Sequence, residues 1–428
     1  MTEQTFLNPD TGKLSATRIA EWIAPDLARG HDGEMYEYRD GIYVRDPDIL
    51  TKRVAAALDD RWSGTVQKQV EAHLLNVTLP GVGVRALKRG YLDHIVLENG
   101  VYYWPEDRFS GHDPTLGAIS RLPLRYNKQA ACPNFDHWLA QVLGDDAELR
   151  RHVWEIIGYL LMTGNPLQKI ILFFGEGGNG KGTLLRVIEN MLGEENYSAI
   201  SLHTLVEDRF AASGLYGMTA NISGDLSSRF VNEPEILKQV TGGDAITTAR
   251  KYGHLFTFVP YAVPVFASND FFRTSDTSYG WRRRWEVIEF TRKVTDYGDF
   301  DEQNLFDEGA GIFNCGMRAL RQLMDRGKFT PPALAQDATD RLHDAADPLL
   351  LWLDEDENVY RSEAARSPKD DVYQRYSRWV RRNGYQPLAL GPFGPRLKQL
   401  GIRATRRMEN GERTRYYEGI SVLLGPED

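Results

Sequence analysis

The sequence predicts a multidomain α/β protein centred on a mostly parallel sheet with helices on its faces. Three observations predict it. From Lys169 to about Gly327, short apolar runs alternate with helical segments, the pattern of strands paired in parallel and covered by helices. The 428 residues exceed one ordinary domain, at roughly 100–200 residues each. The charge balance reverses near residue 371: eleven acidic residues against four basic lie between Pro331 and Asp371, and eleven basic against three acidic between Val372 and Leu424. These changes of texture divide the chain into an N-terminal α+β/helical accessory region (1–90), a helical region (91–165), the parallel-sheet domain (166–330), an acidic linker or helical segment (331–371) and a basic C-terminal domain (372–428).

The N-terminal stretch is polar and irregular, and the alternation of Tyr36, Tyr38 and Tyr43 marks short strands. Residues 51–75 read as helical. Leu92–Val101 alternates toward Asn99-Gly100, a strong turn dipeptide. Two helices fill 134–163, packed through Phe135, Trp138, Leu139, Val142, Val153, Trp154, Ile157, Tyr159 and Leu160. Gly164-Asn165-Pro166 ends that region. Ile170–Phe174 is a buried strand, followed by a glycine-rich turn and an apolar helix, Thr183–Leu192. Met218–Ile222, Ala262–Ala267 and Trp285–Phe290 are further strands, and Ile246–Ala249 with Leu255–Val259 form a hairpin. The tail reads as helix Val372–Arg382, helix Gly394–Leu400 and a hairpin turning at Asn410-Gly411, the order of a winged-helix domain.

Composition sets limits. Hydrophobic residues are 42% and charged residues 26%, which excludes collagen-like, coiled-coil and largely disordered chains. The longest apolar runs, such as Leu349–Leu353, are far short of the roughly 20 residues of a membrane helix. The N-terminus has no basic-then-apolar leader, and two cysteines, Cys132 and Cys315, cannot make a disulfide framework or a four-cysteine zinc site. We expect a cytoplasmic protein with no membrane partner. The net charge of 51 − 60 = −9 averages over patches and leaves room for a local basic groove.

The densest chemistry lies in Gly175-Glu176-Gly177-Gly178-Asn179-Gly180-Lys181-Gly182-Thr183. A strand enters this segment and a helix leaves it, the setting of a phosphate-binding loop. Glycines let backbone N–H groups turn onto phosphate oxygens, the helix N-terminus adds positive potential, and Lys181 reaches the terminal phosphates. We expect ATP and Mg²⁺ here. The residue after the lysine, ordinarily Ser or Thr, is Gly182, so Thr183 is the candidate metal-holding hydroxyl.

Asp225 follows the strand Met218–Ile222, 44 residues after Lys181, where a carboxylate can hold Mg²⁺ and orient water; a helix-capping turn would look the same. Asn269 lies 44 residues further on, where an amide can polarise the γ-phosphate or the water; Ser268-Asn269-Asp270 also suits a plain turn. Trp281-Arg282-Arg283-Arg284-Trp285 places three arginines together. They suit either a solvated turn or delivery of a positive charge to a neighbouring subunit's nucleotide.

The order of loop, acid, asparagine and arginine resembles the superfamily 3 helicases of the phage, plasmid and poxvirus primase–helicase group. Gly-Gly-Asn-Gly-Lys181, Leu237-Lys238 through Thr241-Gly242-Gly243-Asp244, and Trp281–Phe290 carry the resemblance. Leu122–Tyr126 and Cys132–Phe135 resemble the helical domain that precedes that motor. The resemblance spans roughly residues 90–425 and implies an AAA+ motor with a C-terminal winged helix. It further implies a ring, usually a homo-hexamer, translocating on single-stranded DNA. By the same match Arg284 is the first candidate for the arginine acting between subunits, and Arg283 the second. Where family members often carry two acidic residues or a glutamate, this chain has Gly224-Asp225.

The hairpin tip Arg250-Lys251-Tyr252-Gly253-His254 joins basic residues to an aromatic ring, which suits phosphate contact and base stacking, or a soluble turn. In the resembled family this hairpin faces the central channel, with Lys238 nearby. Arg406, Arg407, Arg413 and Arg415 flank the C-terminal hairpin, which can straddle a duplex or simply keep an edge soluble; Arg381 and Arg382 end the preceding helix. The expected function is an ATP-dependent DNA helicase acting on single-stranded and forked DNA during replication of a bacterial mobile element. No primase domain of its own is evident, so a separate primase or other replisome protein is an expected partner. The rival expectation is an ATP-switched origin-binding or loading protein.

Overall fold

A computed structural model of the chain describes residues 6–74, 79–83, 90–224, 226, 231, 235–251, 253–272, 274, 276, 278–293, 301–345, 347–383, 385, 387–409 and 412–424. Its centre is a five-stranded parallel sheet of β1 (Ile170–Phe174), β2 (Tyr197–Ser198), β3 (Ala220–Ser223), β4 (Val263–Ser268) and β5 (Trp285–Glu289). The order across the sheet is β5-β1-β4-β3-β2. Trp285 lies opposite Ile170 and Glu289 opposite Phe174, while Ser268 also pairs with Phe174.

Strand β1 shows why the sheet forms here. Its side chains alternate between two buried faces. Ile171 and Phe173 pack with helices Pro133–Leu143, Ala147–Leu161, Lys181–Leu192 and Gly309–Arg326, and Ile170 and Leu172 pack with Leu202, Leu237, Ala338 and Leu342. A continuous apolar run is what a strand covered on both faces requires. The chain leaves β1 for the edge strand β2, returns through β3 and β4, and crosses to the far side of β1 for β5. The carboxyl ends of β1, β4 and β5 therefore meet where the strand order reverses, the place at which open parallel sheets bind ligands.

Before the sheet, a mixed four-stranded sheet (Leu27–Gly30, Met35–Arg39, Ile42–Arg45, Gly81–Val82) adjoins helices Ala16–Ile23, Ile49–Leu58 and Gly64–Leu74. The stretch 51–75 read as one helix is thus two, parted at Asp59, whose φ of 46° leaves the helical region. His94–Leu97, Gly100–Tyr103 and Arg108–Ser110 make a small antiparallel sheet. Two helices then follow, as the spacing predicts. Helices Ala147–Leu161 and Gly309–Arg326 cross where Gly158 meets Gly316 backbone to backbone; a Cβ on Gly158 would collide with the Gly316 carbonyl.

The C-terminal unit joins helices Pro348–Glu355, Lys369–Arg382 and Leu390–Gln399 to strands Val359–Pro368, Arg403–Glu409 and Glu412–Val422. Two of these elements, the first helix and the first strand, come from the tract read as an acidic linker or helical segment, which leaves only the strand unforeseen. The strand carried no sequence signal because most of its side chains are exposed and its pairing shifts register between Arg361 and Arg366. Asn410 and Gly411, the expected turn, lie outside the described residues. No helix among the described residues is long and apolar enough to cross a membrane.

Candidate functional site

The loop from Gly175 to Gly180 is shaped by positions that exclude side chains. Gly175 has φ 140°, and a Cβ there would lie 2.5 Å from the Phe290 carbonyl oxygen. Gly180 has φ 91° and caps the following helix; a Cβ there would meet Val142 at 2.9 Å and Trp138 at 3.2 Å. Asn179 is buried and works as a clamp. Its Nδ2 donates to the Phe290 carbonyl at 2.9 Å and its Oδ1 accepts from the Lys181 N–H at 3.4 Å. Glu176, Gly177 and Gly178 form the exposed rim, as does Gly182 beyond them.

Lys181 folds back into this cradle. Its ammonium donates to the carbonyl of Gly175, to the Glu176 carbonyl at 2.9 Å and to Asn269 Oδ1 at 3.0 Å. Burial lowers its pKa from the ordinary lysine value. Asn269 follows β4 and Lys181 follows the loop that leaves β1, so two residues 88 positions apart meet because β1 and β4 are neighbours. Thr183 is buried, and its hydroxyl accepts from Arg186 Nη2 at 3.3 Å, while Arg186 also pairs with Glu302 at 2.8 Å. Asp225 lies outside the described residues. Leu226 donates to the Ala267 carbonyl of β4 at 2.8 Å.

The arginine triplet stands at the other end of the sheet. It precedes β5, and Trp285 is registered with Ile170 at the start of β1. The three side chains differ. Arg282 pairs with Asp347 at 3.8 Å. Arg284 is turned inward, 8% exposed, donating to Thr241 Oγ1 at 2.8 Å and to the Gly280 carbonyl. Burial, then the charge of Arg283, lowers its pKa. Arg283 is exposed, and its guanidinium donates to Gln168 Oε1. Lys169 fixes the backbone here, donating to the Arg283 carbonyl at 3.2 Å while pairing with buried Glu286 at 2.7 Å. Glu286 also meets His152 at 3.2 Å, and its carboxyl stays below the usual range despite burial because His152 and Lys169 bond to it.

The hairpin Ile246–Ala249 with Leu255–Phe258 forms as expected, but its arginine is occupied. Arg250 Nη2 donates to Asp32 Oδ2 at 3.1 Å, and its guanidinium lies 5.4 Å from the Phe256 ring centroid. Glu34 is 3.9 Å away. Lys251 and His254 are exposed, and Tyr252 lies outside the described residues. Lys238 pairs with Asp276. On the C-terminal ribbon, exposed Arg406 and Arg415 stand directly opposite each other, an arrangement that repels unless an anion bridges it. Arg407 pairs with Glu418 at 3.0 Å, and the Arg413 side chain is outside the described set. Arg381 and Arg382 are exposed and line a groove with Tyr373 and Arg378.

Sequence reasoning missed the Asn179 clamp, the Trp138 and Val142 backing of Gly180, the Lys169–Glu286–His152 network, and the partners of Arg250. Only Asn179 had a signal, its place inside the loop. The others depend on contacts across more than thirty residues of sequence.

Residues 173–284 match a family of unknown function, DUF5906. Over 162 residues, 36% of this chain, the sequence is 25% identical to a protein of Acanthamoeba polyphaga mimivirus that bears the name "putative helicase". The match spans 17% of that protein's length. Among solved structures, an A-form apo structure of the NrS-1 C-terminal region aligns over 95% of this chain and 98% of that one, with a TM-score of 0.49 and 11% identity. A second apo structure of that region aligns over 95% and 98%, with a TM-score of 0.47 and 9% identity.

Proposed function

We infer that the chain is an ATP-dependent DNA helicase of the superfamily 3, AAA+ type, assembled as a ring and acting in replication of a mobile element. One observation carries the reading. The phosphate loop with Asn269 and the arginine triplet occupy opposite ends of the same strands. The five residues of β1 separate them, about 16 Å at roughly 3.3 Å per residue. That exceeds the reach of an arginine side chain, so the triplet serves a nucleotide only if a second copy brings its own loop to it. Burial reverses the order that the resemblance gave: exposed Arg283, the second candidate, is the arginine offered outward, and Arg284, the first, anchors the turn behind it.

Each residue then has a task. The loop N–H groups and Lys181 bind the β- and γ-phosphates of ATP, and Asn269 holds Lys181 and faces the γ-phosphate. Thr183 and Asp225 are the residues that would hold Mg²⁺; the buried Thr183 hydroxyl has a lone pair to give beyond its bond from Arg186. When bound, the ion would neutralise phosphate charge. Arg283 of the adjoining copy stabilises negative charge developing on the transferred group. Arg250, Lys251, Tyr252 and His254 contact single-stranded DNA, with Lys238 near them, and phosphates must displace Asp32 and Glu34 from Arg250. The C-terminal unit acts as a winged helix that contacts duplex through Arg406, Arg407, Arg413 and Arg415.

The test is ATP hydrolysis with and without single-stranded DNA, beside a measurement of particle mass. Stimulated hydrolysis in a ring-sized species is expected; a protein that hydrolyses ATP fully as a monomer refutes the reading. One observation favours a second reading, a nucleotide-switched origin binder or loader: Gly182 stands at the usual hydroxyl position and Thr183 is engaged by Arg186. ATP-dependent duplex binding without strand displacement would select it.

A further inference from the structure

Cys132 and Cys315 stand 183 residues apart in sequence, yet their sulfurs lie 3.7 Å from each other. A disulfide needs about 2.05 Å, so a small side-chain movement closes the gap. The two thiols differ in setting. Cys132 is 2% exposed, at the N-cap of helix Pro133–Leu143. Cys315 is half-buried and opens into a 420 Å³ cleft whose wall carries Arg150, Arg151 and Arg318, with Asp136 as the acidic group on the same wall and Trp154 beside them. The cleft is therefore net cationic and suits an anionic small molecule. Cys132 donates its S–H toward Cys315, which lowers the Cys315 thiol, and Arg318 lowers it further; the same bond, with burial, pushes Cys132 up. Cys315 faces the cleft and Cys132 is buried behind it, so Cys315 is the thiol that an incoming disulfide meets, as its thiolate.

The pair sits at a junction. Glu308, just ahead of helix Gly309–Arg326, accepts from the N–H groups of Asn134 at 3.0 Å and Phe135 at 2.9 Å, capping the helix that Cys132 begins. That same helix carries Trp138 and Val142, which back Gly180 in the phosphate loop.

We propose that Cys132 and Cys315 form a thiol–disulfide exchange site, with the arginine cleft admitting an anionic disulfide such as oxidised glutathione. Cys315 thiolate attacks one glutathione sulfur, and the first glutathione thiolate leaves. Cys132, on losing its proton, attacks the Cys315 sulfur and expels the second. Two protein thiols are oxidised to one disulfide and one glutathione disulfide is reduced to two thiols, which take up the two protons. The bond ties helix Pro133–Leu143 to helix Gly309–Arg326 and restrains the unfolded chain across the whole central sheet.

The test treats the reduced full-length protein with oxidised glutathione and follows intact mass, peptide maps and melting. The expected product is two hydrogens lighter, joins the Cys132 and Cys315 peptides, melts several degrees higher and reverts with dithiothreitol. Cys132→Ser should stop at a glutathione adduct on Cys315, and Cys315→Ser should form neither adduct nor bridge. Two cysteines that stay alkylatable, an adduct on the unmutated chain that never resolves, or bridges only between chains would overturn the proposal. These readouts need no nucleotide or DNA, so they stand apart from the helicase reading.

Discussion

Replacing Lys181 by alanine removes the ammonium around which the loop is arranged. In the ligand-free fold that group holds the Gly175 and Glu176 carbonyls and Asn269. A triphosphate would offer anionic oxygens instead. The ammonium carries its charge in both cases, but moving two of its bonds from uncharged carbonyl and amide oxygens to anionic phosphate oxygens gains about 1 kcal/mol each. The net loss on substitution is about 2 kcal/mol, or about 30-fold in Kd. Hydrolysis should fall further, since charge in the transition state loses its preorganised partner. A fluorescent ATP analogue titrated against both proteins measures the first effect. The pH dependence follows from burial. Bound phosphate favours the charged lysine, whose ligand-free pKa lies below 10.5. Affinity should therefore be full below that depressed pKa and decline as pH rises through it. An alanine variant that binds the analogue as tightly as the parent, with unchanged pH dependence, refutes the phosphate-cradle assignment.

Arg283→Ala and Lys181→Ala proteins, each inactive alone, should regain part of their ATPase activity when mixed, since a mixed ring pairs an intact loop with an intact arginine; no recovery at any ratio argues against action between copies. Arg250→Ala should reduce the salt slope of single-strand binding by about 0.7, one phosphate contact on a single strand, as read by anisotropy across a salt series. Gly158→Ala should cost about 1–3 kcal/mol, because the new methyl meets the Gly316 carbonyl and the helices must part; a denaturant midpoint equal to the parent's would contradict the packing. His343 is buried, and burial followed by the charge of Arg282 holds its pKa at about 4 against 6.5 unfolded. The folded chain thus binds fewer protons. The stability this residue contributes is present above pH 6.5 and is lost as pH falls toward 4, by up to about 3 kcal/mol. His343→Gln should flatten the melting profile between pH 4 and 6.5, and an unchanged profile would refute the assignment.

What could be read ahead of the structure follows the range of the interactions. Strand β1, the glycine turn and the helix from Lys181 are specified within some twenty residues, by an apolar run, backbone requirements and helical periodicity. Their boundaries came out within two residues. Asn269 could be placed because it ends a strongly apolar strand, and its neighbour across the sheet was the loop strand. The strand Val359–Pro368 could not be read, since its pairing rather than its side chains holds it. Arg250 illustrates the other limit. Its charge and aromatic neighbours are local facts, but its partner Asp32 lies 218 residues away, and no local pattern names it. Among the three arginines, adjacency gave no ranking, and the family match put Arg284, the buried one, ahead of Arg283. Which one is buried depends on Thr241 and Asp347, from a helix before the triplet and a loop after it.

In the proposed ring, strand β5 would link two nucleotide sites. At its carboxyl end Phe290 accepts a hydrogen bond from Asn179, inside the chain's own Gly175–Gly180 loop. At its amino end stands Arg283, whose backbone is held by Lys169 from the start of β1. Both strands are buried, registered residue for residue, and joined again by the Lys169–Glu286 pair. A strand packed on both faces shifts as a body rather than bending locally. In that ring, a change in the loop on phosphate binding would act at Phe290 and, through β5, on Arg283. The Glu286–His152 contact extends the same rigid unit into helix Ala147–Leu161. Coupling of this kind needs two discrete arrangements of one element, and a structure with nucleotide bound should show β5 displaced relative to helix Ala147–Leu161 if β5 is that element.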